Sequence, residues 1–140
     1  MSTDKLLDAW KRWIQRGTTL PVAMRDTEEN KAYPGVYIEG DSVSRFDSGG
    51  VMDGSAFTVE WETKLVTTPG DTAQVATTKA EHDTLRNSLA LQVQSYDAES
   101  WIDAQLGIRV FQLLLDAPVT SEEGGYRVTT WKATAVACEI

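Results

Sequence analysis

Asp47-Ser48-Gly49-Gly50 is the tetrapeptide that surrounds the nucleophile in one large class of serine proteases. A nucleophilic serine needs a histidine to take its proton and an acid to orient that histidine. The single histidine, His82, follows Ser48, whereas those enzymes carry His first, then Asp, then Ser. They are also built on two β-barrels, which a chain of 140 residues with two helical patterns cannot supply. Triads do recur in other chain orders, but a nucleophile needs a rigid support. Ser48 sits in Ser44 to Gly54, a run of turn-forming residues. A hydrolase using Ser48 is therefore rejected.

The remaining reactive side chains do not converge either. Glu81, His82 and Asp83 are adjacent on a helical pattern, where neighbours point about 100° apart. A metal at His82 would need ligands one turn on, and those positions hold Leu85 and Arg86. The expected role of His82 is a packed or capping histidine. Asp47 to Asp53 lacks the alternating acids and closing glutamate of a calcium loop. No glycine-rich phosphate loop and no His-Glu-x-x-His is present. Glu60 and Glu62 fall on the wet face of a strand pattern. Cys138, the only cysteine, permits no internal disulfide. The reading is of no catalytic, metal or cofactor-binding residues, and of a non-enzyme.

What the sequence does specify is a set of elements. Leu6, Leu7, Trp10, Trp13 and Ile14 lie on one stripe and predict a helix over about 4–16, with Thr3 as its cap and Gly17 as its stop. Asp8 and Arg12 are spaced to pair one turn apart. Short strands are expected at Val22 to Met24 and Val36 to Glu39, followed by a long hairpin loop over 40–54. Phe57, Val59, Trp61 and Leu65 alternate with Thr58, Glu60, Glu62 and Lys64, which predicts a strand with one buried and one wet face. Thr78 and Glu81 form a capping box for a second helix, with His82, Leu85, Leu89, Val93 and Tyr96 as its stripe. A short amphipathic turn holds Trp101, Ile102 and Leu106.

Two strands are expected to close the pattern. The first, Ile108 to Leu115, is almost continuously apolar and reads as central. The second, Tyr126 to Ile140, places Trp131, Ala133, Ala135 and Ala137 on one face, where small residues admit a helix. The polar segment 116–125 between them reads as a turn. The expected fold class is α+β: one domain over 1–140, an antiparallel or mixed sheet with two helices on one face, and a long hairpin loop.

Net charge is −8 and there are five tryptophans. The tryptophans supply a core, and the acidity argues against a module that grips nucleic acid through Lys and Arg. No apolar run reaches the ~18 residues that span a bilayer. The acids gather in predicted loops, among them Asp41, Asp47, Asp53, Glu122 and Glu123.

The element order, the strand and turn "VEWETKLVTTPGD", the helix "EHDTLRNSLALQV" and the terminal "TTWKATAVACEI" together resemble the tail terminator and neck proteins of tailed bacteriophages. His82-Asp83-Thr84-Leu85 matches a loose position after the mid-chain strand of that family. The resemblance implies a virion subunit, made in the host cytoplasm, that forms a homo-oligomeric ring, usually a hexamer. Its partners would be the tail tube protein and the head-side connector or stopper, with DNA passing through without sequence-specific binding. The acids named above would then line the lumen and repel DNA over a screening length of about 8–10 Å. Alternative readings are a head-completion or stopper subunit, a tube subunit, or a small cytosolic adaptor that binds protein through an edge strand.

Within the loop, Phe46, Val51 and Met52 are apolar among polar residues and are expected to dock on a neighbouring subunit or the tube. Phe46→Ser combined with Met52→Ser should weaken assembly, read by sedimentation, while the circular dichroism melt is unchanged. Normal assembly by that variant would remove these residues from the interface.

Overall fold

The computed structural model describes residues 2–24, 33–45, 56–68, 78–106 and 108–139. Three helices lie against one face of a six-stranded mixed sheet, an α+β architecture. Helix α1 spans Ser2–Gln15, so Thr3 lies inside its first turn rather than ahead of it. Its stripe of Leu6, Leu7, Trp10, Trp13 and Ile14 is buried, which makes both tryptophans core residues. On the wet side Asp8 pairs with Arg12 at 3.4 Å.

Gly17 lies just past the helix end and is glycine because of space. A Cβ there would lie 2.5 Å from the Gln92 Cβ. The close approach serves a two-way clamp: the Gln92 amide donates to the Trp13 carbonyl at 2.6 Å, and Trp13 Nε1 donates back to the Gln92 carbonyl at 2.9 Å.

Strands β1 (Val22–Met24), β2 (Gly35–Arg45), β3 (Ala56–Thr67), β4 (Ile108–Leu115), β5 (Val119–Glu123) and β6 (Tyr126–Glu139) form one sheet. The order is β1-β2-β3-β6-β4, with β5 also on β6. β1 is parallel to β2, and every other pairing is antiparallel. Four sequence expectations about the sheet need correction. β2 does not give way to loop at residue 40; it continues to Arg45 through a bulge between Gly40 and Ser42, because β3 supplies ladder partners throughout. The segment 116–125 is not only a turn. It contains β5, joined to β6 by Gly124 and Gly125, whose φ values of 57° and 84° suit a two-residue hairpin of mirror-image type.

Nor is β4 central. It pairs only with β6 among the described residues, and Leu114 on its outer face is 53 % exposed. The sheet is not uniformly wet on its second face either: Tyr33, Tyr37, Val66 and Val128 form a separate buried cluster there, with Ala23 and Tyr126 packed at its margin.

The β3–β6 register sets the core. Phe57, Val59 and Trp61 stand opposite Ala137, Ala135 and Ala133, and Thr63 stands opposite Trp131. Large faces small at each level, so the combined surface stays flat enough for helices. Helix α2 (Lys79–Val93) buries His82, Leu89 and Val93 onto it. Tyr96, expected on the same stripe, falls beyond the helix end and is fully exposed. The amphipathic turn is a full helix, α3 (Asp97–Leu106), which buries Ala98 and Ile102 one turn apart and sets Trp101 5.5 Å from Trp13.

Gly17→Ala should lower unfolding free energy by about 1–3 kcal/mol, the usual cost of overpacking. The urea midpoint reads this directly, and an unchanged midpoint would show that Gln92 can move aside.

Candidate functional site

Thr78 caps α2 as its residue type requires, while Glu81 reaches back to the Thr78 hydroxyl. The Thr78 hydroxyl accepts from the Glu81 backbone N–H at 3.1 Å and donates to the Glu81 carboxylate at 3.0 Å. This cap fixes the first turn of α2 and thereby delivers His82 to the sheet. His82 is wholly buried, with Nδ1 2.7 Å from the Thr67 hydroxyl and Nε2 2.7 Å from the Thr129 hydroxyl. Thr129 in turn lies 2.7 Å from the Thr120 hydroxyl. A neutral imidazole has one donor and one acceptor nitrogen, so the four side chains make a directional hydrogen-bond chain joining β3, α2, β6 and β5.

Burial pushes the His82 imidazole below its ordinary value, and the nearby cation of Arg127 adds to this, with Arg86 a lesser contributor in the same direction and Asp83 opposing. Thr67, His82 and Thr129 are each 0 % exposed. No substrate atom can reach the imidazole, so the chain is a structural latch of the packed kind expected for this histidine. No local pattern in the sequence marks the threonines. The available signal was that a histidine buried at a stripe's head needs two polar partners, and both adjoining strand ends carry threonines.

Beside the latch an open cleft of about 570 Å³ is lined by Lys79, Asp83 and Arg86 of α2 and by Thr120, Ser121, Glu122 and Arg127. Its charges are largely mutual: Arg86 meets Asp83 at 3.3 Å and Arg127 meets Glu122 at 3.4 Å. Among the described residues no three of His, Cys, Asp and Glu converge as a metal site.

Of the acids assigned to a lumen, Glu122 lies on β5, exposed and paired with Arg127, and Glu123 closes the same strand opposite Tyr126. Asp41 lies at the β2 bulge. Two strands separate β2 from β5, and the β2 bulge is level with Ala133 on β6 while Glu122 is level with Arg127. Six residues along a strand is roughly 20 Å, so Asp41 and the β5 pair do not form one cluster. Asp47, Asp53, Phe46, Val51, Met52 and Ser48 lie outside the described residues. Glu60 is exposed as expected, whereas Glu62 is half-buried and contacts Lys64 at 3.5 Å.

The other candidate feature is the pair of sheet ends that are open among the described residues. β1 has a partner only in β2, and β4 only in β6, among the described residues. Beside β4 the residues Gln94, Ser95, Tyr96, Glu99, Leu113 and Leu115 border an open notch of about 360 Å³. No protein-family model matches this chain, and no curated protein does. No helix among the described residues is long and apolar enough to cross a membrane.

The latch predicts an acid-sensitive stability. With the folded-state value held below the ordinary 6.5, the unfolded chain takes up the proton first. Stability is therefore level above that pH and falls as the pH drops through and below it, at up to about 1.4 kcal/mol per pH unit. The urea midpoint should fall between pH 7.5 and pH 5.5, and His82→Gln should flatten that dependence. Equal slopes in both proteins would remove His82 from the effect.

Proposed function

We propose that this chain is a non-catalytic virion subunit of the tail terminator or neck type. It assembles into a ring that caps the tail tube and joins it to the head-side connector. The observation that carries this reading is that, among the described residues, β1 on one side and β4 on the other each lack a second strand partner, leaving the sheet open at both ends. An exposed edge offers unpaired N–H and C=O groups and is normally blunted or paired. Two open ends on one subunit give two different surfaces, the requirement for head-to-tail contacts that close into a ring.

Two further features support it. The best-organised polar cluster, around His82, buries Thr67, His82 and Thr129 completely and ties elements together. The chain's net charge of −8 suits a ring through which DNA slides without sticking.

Purified protein, alone or mixed with tail tubes, should give closed rings in negative-stain micrographs, and deletion of its gene should leave tails of uncontrolled length. A strict monomer that ignores tubes, with tail length unaffected by deletion, would overturn the reading.

A further inference from the structure

The two open ends differ in a way that specifies how they meet. β1 and β2 run in one direction, β3 in the other, β6 back again and β4 opposite to β6. β1 and β4 of one subunit are therefore antiparallel. A second copy related by rotation about an axis along the strands keeps its helices on the same face and presents its β1 antiparallel to the first copy's β4. We infer that neighbouring copies of this chain join β4 to β1 in antiparallel pairing, continuing one mixed sheet from subunit to subunit. This inference rests on the ring reading for its head-to-tail sense and adds the residues that make the contact.

Side-chain parity narrows the register. Val22 and Met24 stand opposite Val36 and Ile38 on the helix-covered face, and Leu113 and Leu115 stand opposite Ala135 and Ala133 on the same face. Ala23 and Leu114 point to the other face, where Ala23 packs beside the tyrosine cluster. In an antiparallel pair directly opposed residues share a face. Met24 opposite Leu113, Ala23 opposite Leu114 and Val22 opposite Leu115 satisfies every position. The half-buried Met24, Leu113 and Leu115 would then cover one another and close the notch beside β4. Leu114, half exposed in the free subunit, would lie over the smallest side chain of β1.

Charge agrees with this arrangement. Helix α3, which packs on β4, carries Asp97, Glu99 and Asp103 and no basic residue. Helix α1, which packs on β1 and β2 and on its own subunit's α3, carries Lys11 and Arg12, the latter paired with Asp8, with Arg16 just beyond over the Trp101 ring. Joining β4 to the next β1 brings an acidic helix beside a basic one. A β4–β4 pairing would instead set two acidic α3 helices together.

Engineered cysteines test the pairing in the full chain carrying Cys138→Ser. Ala23→Cys and Leu114→Cys proteins, mixed at equal amounts and treated with a mild thiol oxidant, should give a disulfide-linked dimer that neither gives alone. A Val119→Cys protein mixed with Ala23→Cys should give none. Leu114→Lys should weaken self-association by about tenfold or more, since a lysine there meets an apolar contact, with an unchanged thermal melt as the control for folding. Raising salt from 50 to 500 mM, values on the order of the usual screening range, should also weaken association. Linkage of Leu114→Cys to itself would overturn the inference in favour of a twofold dimer. Rings that form with no Ala23–Leu114 linkage would overturn the edge pairing and leave the ring reading standing. Absence of any assembly, alone or on tubes, would overturn both.

Discussion

Trp10 enters the core edge-on against Trp61, centroids 5.4 Å apart at 64°, with its indole nitrogen donating to the Thr63 hydroxyl at 2.8 Å, and the surrounding sequence is arranged to let it in. The contact needs a wide, shallow surface on the sheet. The β3–β6 pair provides it by trading volume across the ladder, bulky residues at 57, 59 and 61 against alanines at 137, 135 and 133. At the next level the exchange reverses, Thr63 against Trp131, and the threonine is small enough to leave room and polar enough to satisfy the Trp10 N–H. The indole nitrogens of Trp61 and Trp131 have no hydrogen-bond partner among the described residues, and a buried indole N–H left so costs about 1–3 kcal/mol. The apolar area of two wholly buried indoles outweighs it.

Helix α2 is held differently from α1. Only three of its residues are buried, and both its ends are fastened by polar contacts. Its first turn is tied through His82 to three strands, and its last turn is tied through Gln92 to α1. Such fastening sets position more sharply than apolar burial, because hydrogen bonds are directional. It also makes the seating of α2 depend on the charge of one imidazole.

The sequence disclosed those features that depend on local rules. The α1 stripe, the β3 alternation and the Thr78–Glu81 cap are decided by periodicity and cap chemistry, and each is present in the fold. Features decided by a distant partner leave no such local mark. Residues 40–45 have loop composition yet extend β2, since β3 lies alongside and Gly40 leaves space for Leu7, 3.0 Å from where its Cβ would be. The Val119–Glu123 strand is polar and exposed, so no buried face announces it; the Gly124-Gly125 turn imposes it by folding it back on β6. An unbroken apolar run usually marks a strand covered on both faces, but β4 lies at a sheet end and keeps Leu114 exposed. The buried histidine was foreseeable, while Thr67, Thr129 and Thr120 came together only through topology.

β6 pairs with β3 along one edge and with β4 and β5 along successive halves of the other. It also follows every other element in chain order. During synthesis, therefore, α1 and the β1–β2–β3 unit emerge first and must wait with Trp10 and Trp61 lacking the alanine strip beside them. Closure of the sheet is a late, long-range event, which places this chain among topologies whose folding is slow and whose nascent forms expose apolar surface to other chains. The same strand that organises the finished subunit thus sets when it becomes safe from misassociation on the ribosome.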